Sequence, residues 1–322
     1  MAITSITVFG GTGFLGRHVV MNLARQGFQV KIACRKPNSA LRCKPMGDVG
    51  QITAISTNIR FDASVDTAVE GSDAVVNLIG VLHSQGRQNF QSVHVEGAAR
   101  IANAASLASV KRLIHISAIG ADHNATSKYA QTKGLGESVV REAFPSATIL
   151  RPSIVFGPDD NFFNKFAGLA RLIPALPLIG GGSTKFQPVY VGDVAEAVSV
   201  CLGQSITSGN LYELGGPQTY SFRNLMEIML TEILRHKFLV PIPFWFAKAM
   251  ALFLEKMKIP LFLPEPLLTR DQVDLLRVDN VVGSRVLGLV DLKILPTALE
   301  AILPSYLQRY RRSVGTRQST VQ

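Results

Sequence analysis

Apolar and polar positions follow two alternating periods along the first half of the chain. Short aliphatic and β-branched runs at Ile6–Phe9, Val30–Cys34, Ile52–Ser56, Ala74–Ile79, Arg112–Ser117 and Ala147–Arg151 read as strands. Between them, apolar residues recur at helical spacing over Leu15–Gln26, Ser64–Val69, Phe90–Ser106 and Ser127–Ala143. Strands that alternate with helices build βαβ units, so the pattern predicts an α/β fold with a doubly wound parallel sheet. From about Phe156 the pattern loosens around Pro174, Pro177 and Gly180–Gly182. Val189–Leu202 and Asn210–Leu214 then restore it, and the rest reads as mainly helical. The predicted organisation is a domain over 1–155 that 187–214 rejoins, with a smaller, mainly helical C-terminal lobe from 156–186 and 215–322. A length of 322 residues accommodates both.

The first candidate site lies where the first strand ends. Gly10, Gly13 and Gly16 are spaced GxxGxxG, and Gly11, Gly13 and Gly16 also satisfy GxGxxG. A chain that leaves a strand, admits a pyrophosphate against its backbone and starts a helix close to the sheet has no room for side chains at these points. The helix start adds free N–H groups and a partial positive charge. The segment Gly10, Thr12, Gly13, Phe14, Leu15 and Gly16 therefore reads as the dinucleotide loop of a Rossmann domain.

An absence suggests which dinucleotide. An NAD site places Asp or Glu about 20 residues beyond the loop, on the ribose hydroxyl. No acidic residue occurs from Gly10 to Gly47, and the second strand ends in Cys34-Arg35-Lys36. A guanidinium at that place pairs with a 2′-phosphate, which favours NADP(H) over NAD(H). The alternative is that Arg35 and Lys36 form a solvated loop and the site takes either nucleotide. Asp62, after the third strand, is a candidate for the adenine amino group.

Tyr129 and Lys133 are four residues apart on a predicted helix and share a face. An ammonium beside a phenol lowers the phenol pKa and suits it to exchange a proton as hydride moves to or from a nicotinamide.

With these residues in view, the span from Ile3 to Leu214 resembles an extended or atypical short-chain dehydrogenase/reductase. The glycine loop, Val75-Val-Asn-Leu-Ile-Gly80, Ser117, Tyr129 with Lys133, Arg151-Pro-Ser-Ile-Val-Phe-Gly-Pro158 and Pro188-Val-Tyr-Val-Gly-Asp-Val-Ala195 carry the likeness. The resemblance implies that Ser117 completes a catalytic trio with Tyr129 and Lys133. It also implies that Lys133 holds the nicotinamide ribose, that Leu78, Ile79 and Gly80 touch the cofactor, and that Pro152, Ser153 and Val155 sit near the nicotinamide amide. More narrowly, the chain resembles the NAD(P)H-binding accessory subunit family of respiratory complex I and its bacterial relatives. Pro45-Met-Gly-Asp-Val-Gly-Gln51, Asn77-Leu-Ile-Gly80, Val140-Arg-Glu-Ala-Phe-Pro145, Asp160-Asn-Phe-Phe-Asn-Lys-Phe166 and Leu268-Thr-Arg-Asp-Gln-Val273 carry that likeness. There the resemblance implies an NADPH that serves structure, with complex I subunits as partners. Two departures bear on catalysis. Active extended enzymes place Ser or Thr two positions beyond Ser117, where this chain has Ile119, and His94 stands where they carry an Asn.

Charge and cysteines narrow the setting. The formal net charge is +10, which calls for an anionic partner: a cofactor, a membrane surface or nucleic acid. No nucleic-acid-binding motif is present, so no nucleic acid is expected. Three cysteines without CxxC spacing fit a reducing compartment and no metal site. The N-terminus reads as a strand rather than a signal peptide, and no run is long enough to span a membrane. Pro243–Lys258 forms an amphipathic pattern, with Lys248 and Glu255 aligned and Trp245, Phe246, Met250, Leu252, Phe253 and Met257 opposite, followed by Ile259–Pro264. Residues 243–264 therefore read as a membrane-surface attachment or, equally, as a core helix of the second lobe. The expected location is peripheral, on the cytoplasmic face of a bacterial inner membrane or the matrix side of a mitochondrial one. Two functions stay open: an accessory NADP(H)-binding protein of the complex I type, or an NADPH-dependent oxidoreductase for a small apolar alcohol or carbonyl of quinone-pathway or steroid-like character.

Overall fold

In the computed structural model, which describes residues 3–84, 86–256 and 268–311, seven parallel strands form one sheet. The chain runs β1 (Ser5–Phe9), α1 (Phe14–Arg25), β2 (Gln29–Cys34), β3 (Ile52–Ser56), α2 (Asp62–Val69), β4 (Ala74–Asn77), α3 (Gly97–Leu107), β5 (Arg112–Ile116), α4 (Lys128–Ala143) and β6 (Thr148–Pro152). It then passes through β7 (Val155–Phe156), α5 (Phe163–Leu172), β8 (Ala175–Ile179) and β9 (Lys185–Phe186). It returns through β10 (Val189–Tyr190) and α6 (Val191–Gly203) to β11 (Leu211–Leu214). The sheet order is β11-β6-β5-β4-β1-β2-β3. β1 pairs with β2 on one side and β4 on the other, so the winding reverses at its carboxyl end and a crevice opens there.

Alternate residues of β1 serve opposite layers. Ile6 and Val8 pack with Val19 and Leu23 of α1 and with Val194 and Val198 of α6, while Phe9 packs with Val65 of α2 and Ile101 of α3. β4 stops at Asn77, short of the expected Ile79. The Asn77 side-chain oxygen accepts the Ile79 N–H at 3.1 Å, which turns the chain out of the sheet. The expected helix Phe90–Ser106 is also interrupted, because Gln91–Glu96 forms a turn of π-helix before α3. Gly136 of α4 packs against this turn so closely that a Cβ there would lie 2.3 Å from the His94 carbonyl oxygen.

The second lobe adds β12 (Tyr220–Ser221), α7 (Phe222–Glu232), β13 (Phe238–Ile242), α8 (Phe244–Lys256), α9 (Arg270–Leu275) and α10 (Leu299–Leu307). It is less purely helical than the sequence suggested: β8 pairs with β13 in parallel and β9 with β12 antiparallel. Its core gathers Phe156, Phe163, Leu176, Phe222, Met226 and Leu303. One stretch assigned to this lobe packs elsewhere, since Leu289, Leu292 and Ile294 join the core of the first domain. Buried Asp193 of α6 fastens that crossing by accepting the Thr297 N–H and hydroxyl, both at 2.7 Å.

Candidate cofactor site

The glycine loop has the geometry that its spacing predicts. Gly10 takes φ +81°, and its carbonyl oxygen accepts the Gly13 N–H at 3.1 Å. A Cβ on Gly16 would lie 2.2 Å from that oxygen and 2.7 Å from Gly11 backbone atoms, so α1 can sit this close only with glycine there. α1 begins after Gly13 with no side-chain cap and no acidic residue in its first turn. Its amide groups and positive dipole end are therefore left for an anion. The Phe14 ring packs edge-on to His18, and Leu15 packs against the core.

A cavity of about 290 Å³ opens over this loop. Gly10, Thr12 and Gly13 form one wall, Leu78, Ile79 and Gly80 another, and Arg35, Arg60 and Arg87 all line it. Among the described residues none of its lining side chains is acidic. A glycine cradle facing three guanidiniums fits a dinucleotide with anionic groups at both its middle and its end. Of the expected contacts, Phe14, Leu15, Gly16, Lys36, Asp62 and Lys133 lie outside the lining. Lys36 is exposed beside it, and Asp62 heads α2, where it pairs with Arg100 at 3.0 Å. Just beyond β3, Asn58 and Ile59 line the cavity where Asp62 does not. Sequence reasoning missed Asn58, Arg60 and Arg87. Reading the exit of β3 as the exit of β2 was read would have found Asn58 and Arg60, whereas Arg87 sits in an irregular loop with no periodic signal.

Behind Gly80 stands the Tyr129 helix, none of whose residues lines the cavity. A Cβ on Gly80 would lie 3.3 Å from Lys133 Nζ and 3.7 Å from His94 Nε2. Lys133 is buried, donates to the Ile116 carbonyl at 3.0 Å, and is lowered to about 8 by loss of solvent. The phenol departs from expectation. Burial first, and then the charge of Asp271, push Tyr129 up to about 12 rather than down. The Lys133 ammonium is committed to a strand carbonyl, and it is not among the groups that shift the phenol.

Ser117 is buried at the end of β5, its N–H bonded to the Leu150 carbonyl and its hydroxyl without a partner among the described residues. Two residues earlier, His115 accepts from Asn77 Nδ2 at 3.1 Å through Nδ1, because the Asn77 oxygen is already used by Ile79. The His115 proton therefore sits on Nε2, also unpartnered among the described residues, and burial pulls the ring down to about 3. The position of the expected Asn is filled by His94, and both of its ring nitrogens are used. Nε2 accepts the Val81 N–H at 3.1 Å, which leaves Nδ1 to donate to Thr132 Oγ1 at 3.0 Å, and that hydroxyl donates to the Lys128 carbonyl at 2.8 Å. Burial holds this ring neutral as well, near 3. It stacks on Phe90 and meets Tyr129 edge-on at 5.4 Å. His94 thus braces Tyr129 and has no lone pair left for a proton relay.

Pro152, Ser153 and Val155 lie at the sheet edge near this helix but outside the cavity lining. Ser153 is turned away, donating to Asn280 Oδ1 at 2.7 Å, and Val155 pairs with Val189.

A second surface lies on α8. Ala247 and Ala251 face the lobe, packed with Ile179 and Val273. Lys248 bonds both Asp274 carboxylate oxygens at 2.9 Å, and Glu255 pairs with Arg270 at 2.8 Å. Trp245 is 71% exposed and Phe253 is 61% exposed. Small residues therefore face the protein, and Trp245, Phe246 and Phe253 face outward, as in the surface-attachment reading of this helix. Ile259–Pro264, Met257 and Lys258 lie outside the described residues. No helix of the described residues is long and apolar enough to cross a membrane.

Comparison with known proteins gives the family and agrees with the fold. The model of the NAD dependent epimerase/dehydratase family matches residues 6–215. A mitochondrial NADH dehydrogenase (ubiquinone) 1 alpha subcomplex subunit 9 from Arabidopsis thaliana is 36% identical over 98% of this chain and 80% of its own. The mitochondrial NADH-ubiquinone oxidoreductase 40 kDa subunit of Neurospora crassa is 35% identical over 95% of this chain and 79% of its own. Among solved structures, a dTDP-glucose 4,6-dehydratase from Streptomyces venezuelae, with NAD bound, superposes with a TM-score of 0.73 over 95% of this chain and 96% of that one. At 18% identity that likeness shows the shared fold.

Proposed function

The chain belongs to the NAD dependent epimerase/dehydratase family, and within it to the family of complex I alpha subcomplex subunit 9; on that premise we propose that it is an NADP(H)-binding accessory protein of complex I. The observation that carries the nucleotide choice is the convergence of Arg35, Arg60 and Arg87 on a cavity whose described lining has no carboxylate. A 2′-phosphate is recognised there by charge-assisted bonds, and a ribose diol has no acidic partner. The nucleotide is identified by denaturing the purified protein and weighing what is released. Arg35→Ala is expected to weaken NADPH binding about 10- to 100-fold, the worth of one or two charged hydrogen bonds, while NADH affinity changes less than about twofold. Equal losses for both nucleotides would assign Arg35 to general electrostatics and leave the site without NADP selectivity.

The accessory reading rests on the residues around the Tyr129 helix. Ser117 is buried, Ile119 holds the place of a hydroxyl, both nitrogens of His94 are occupied, and the Tyr129 phenol is raised. These features suit a cofactor that is held more than one that is turned over. When bound, NADP(H) supplies hydride, and Tyr129 and Lys133 on one face of α4 keep a second reading open: a reductase of small apolar carbonyls or alcohols. NADPH consumption on a carbonyl panel, lost in Tyr129→Phe, would favour that reading.

The outward face of α8 supports a reading of partner and location. A net charge of +10 and outward Trp245 and Phe253 suit peripheral contact with an anionic inner membrane, on the cytoplasmic face in a bacterium or the matrix side in a mitochondrion, next to complex I subunits. Trp245 is the only tryptophan of the chain, so its emission reports this helix alone. Vesicles of phosphatidylcholine and phosphatidylglycerol are expected to blue-shift that emission, and in a sedimentation assay Phe253→Ser is expected to lower the partition at least several-fold. An unshifted spectrum at low salt would remove the membrane contact.

A further inference from the structure

The Leu268–Val273 segment does more than begin α9. Thr269 and Gln272 form that helix's own capping box, which leaves Asp271 free to act elsewhere. Its carboxylate reaches across to the first turn of α4. Oδ1 accepts the Lys128 N–H at 2.6 Å, and Oδ2 accepts the Tyr129 N–H at 3.1 Å and the Ser127 hydroxyl at 3.0 Å. First-turn amides have no partner within their own helix. Ser127 caps α4 by itself only at Ala130, at 3.3 Å. The start of the Tyr129–Lys133 helix is thus closed by a charge delivered from the other lobe, and a carboxylate is the group that a helix N-terminus favours. α9 is in turn held to α8 by the Lys248–Asp274 and Arg270–Glu255 pairs.

We propose that Asp271 is a positioning residue through which the second lobe fixes the start of α4 and thereby the placement of Tyr129 at the cofactor site. The groups facing the phenol are His94 from the π-turn, Lys133 one turn along its own helix, the Phe90 ring, and Asp271 from α9. His94 is neutral over the physiological range, so Asp271 is the anion that acts on Tyr129, and it raises the phenol. Displacing the lobe removes that anion and the two amide bonds together. The inference rests on the reading of Tyr129 as part of the cofactor site, but its test is made on the free protein.

Two measurements test it. In the first, the Tyr129 titration is isolated as the ultraviolet difference between each background and the same background carrying Tyr129→Phe. Asp271→Asn is expected to lower the titration measurably from about 12, by the smaller part of its rise, since burial supplies the larger part. The control is Arg235→Ala, which removes a lobe contact to the Tyr310 carbonyl far from α4 and is expected to leave the titration in place. An unmoved phenol in Asp271→Asn, or an equal shift in Arg235→Ala, overturns the proposal. The second measurement needs no variant to fold. Hydrogen exchange of the wild-type chain is expected to show protected amides at Lys128 and Tyr129, and exchange there at the rate of open first-turn amides overturns it equally. NADPH affinity is measured alongside. If the wild type binds no NADPH, the cofactor reading fails, while the phenol and amide data still decide the role of Asp271.

Discussion

Gly16→Ala is expected to abolish dinucleotide binding and to destabilise the fold. The added Cβ would lie 2.2 Å from the Gly10 carbonyl oxygen and 2.7 Å from Gly11 backbone atoms. Every obstacle is backbone, so no rotamer change relieves the contact, and α1 must slide off the loop. Sliding costs about 1–3 kcal/mol as overpacking. It also spoils the aim of the first-turn amides, and a hundredfold loss of NADPH affinity corresponds to about 2.7 kcal/mol. Gly13→Ala is the informative contrast. Gly13 has φ −75°, and a Cβ there meets only the Gly10 oxygen at 3.4 Å, which is ordinary contact. That variant is expected to melt within about a degree of the wild type yet bind NADPH more weakly, because its methyl projects where the pyrophosphate approaches. Thermal melting and NADPH titration of the pair separate the two roles. A Gly16→Ala protein that melts like the wild type would show that the loop does not constrain α1 as described.

These two glycines mark what was legible in the sequence. Local rules found the loop, because a strand, a tight turn and a helix start leave a spacing that any reader can check. The same holds for β1 to β3 and for Tyr129 with Lys133, whose i,i+4 relation is a property of one helix. What the sequence did not disclose depends on contacts between distant segments. The π-turn at Gln91–Glu96 arises where Gly136 presses on His94, and periodicity alone read a single helix there. Arg87 reaches the cavity from an irregular loop, and Asn58 lines it from the exit of β3, while Asp62 is held away by its pair with Arg100. The Tyr129 phenol is raised first by burial and then by Asp271, an anion supplied from 142 residues away, and neither is visible in the i,i+4 spacing with Lys133. The amphipathic pattern of α8 was visible, but which face turns outward was decided by Ala247 and Ala251 packing on the lobe.

The same dependence on distant partners makes Arg151 the site of the largest expected loss of stability. Arg151 on β6 grips Glu137 of α4 side-on, at 2.8 Å from Nε and 2.7 Å from Nη2. It also reaches Glu213 on the neighbouring strand β11 at 3.4 Å and the Ala121 carbonyl at 3.0 Å. Both carboxylates are buried, and Glu213 in addition accepts the Gly283 N–H at 2.8 Å. Arg151→Met keeps much of the volume and strands two buried anions beside each other. Removing one partner of a buried pair costs about 3–5 kcal/mol, mostly the penalty of the uncompensated charge. The loss is expected as a lower urea midpoint with an unchanged slope. Combining Arg151→Met with Glu137→Gln and Glu213→Gln removes both stranded charges and is expected to recover more than half of it. A second consequence reaches the cofactor site. Glu137 lies one turn beyond Lys133 and already raises the pKa of its ammonium against the effect of burial. Freed from Arg151, Glu137 acts on Lys133 at full strength, so the lysine is expected to titrate above its value of about 8 in the wild type. If Arg151→Met unfolds no more easily than the wild type, loss of the guanidinium does not strand the two carboxylates. In that case the triad does not bind α4 to the sheet edge.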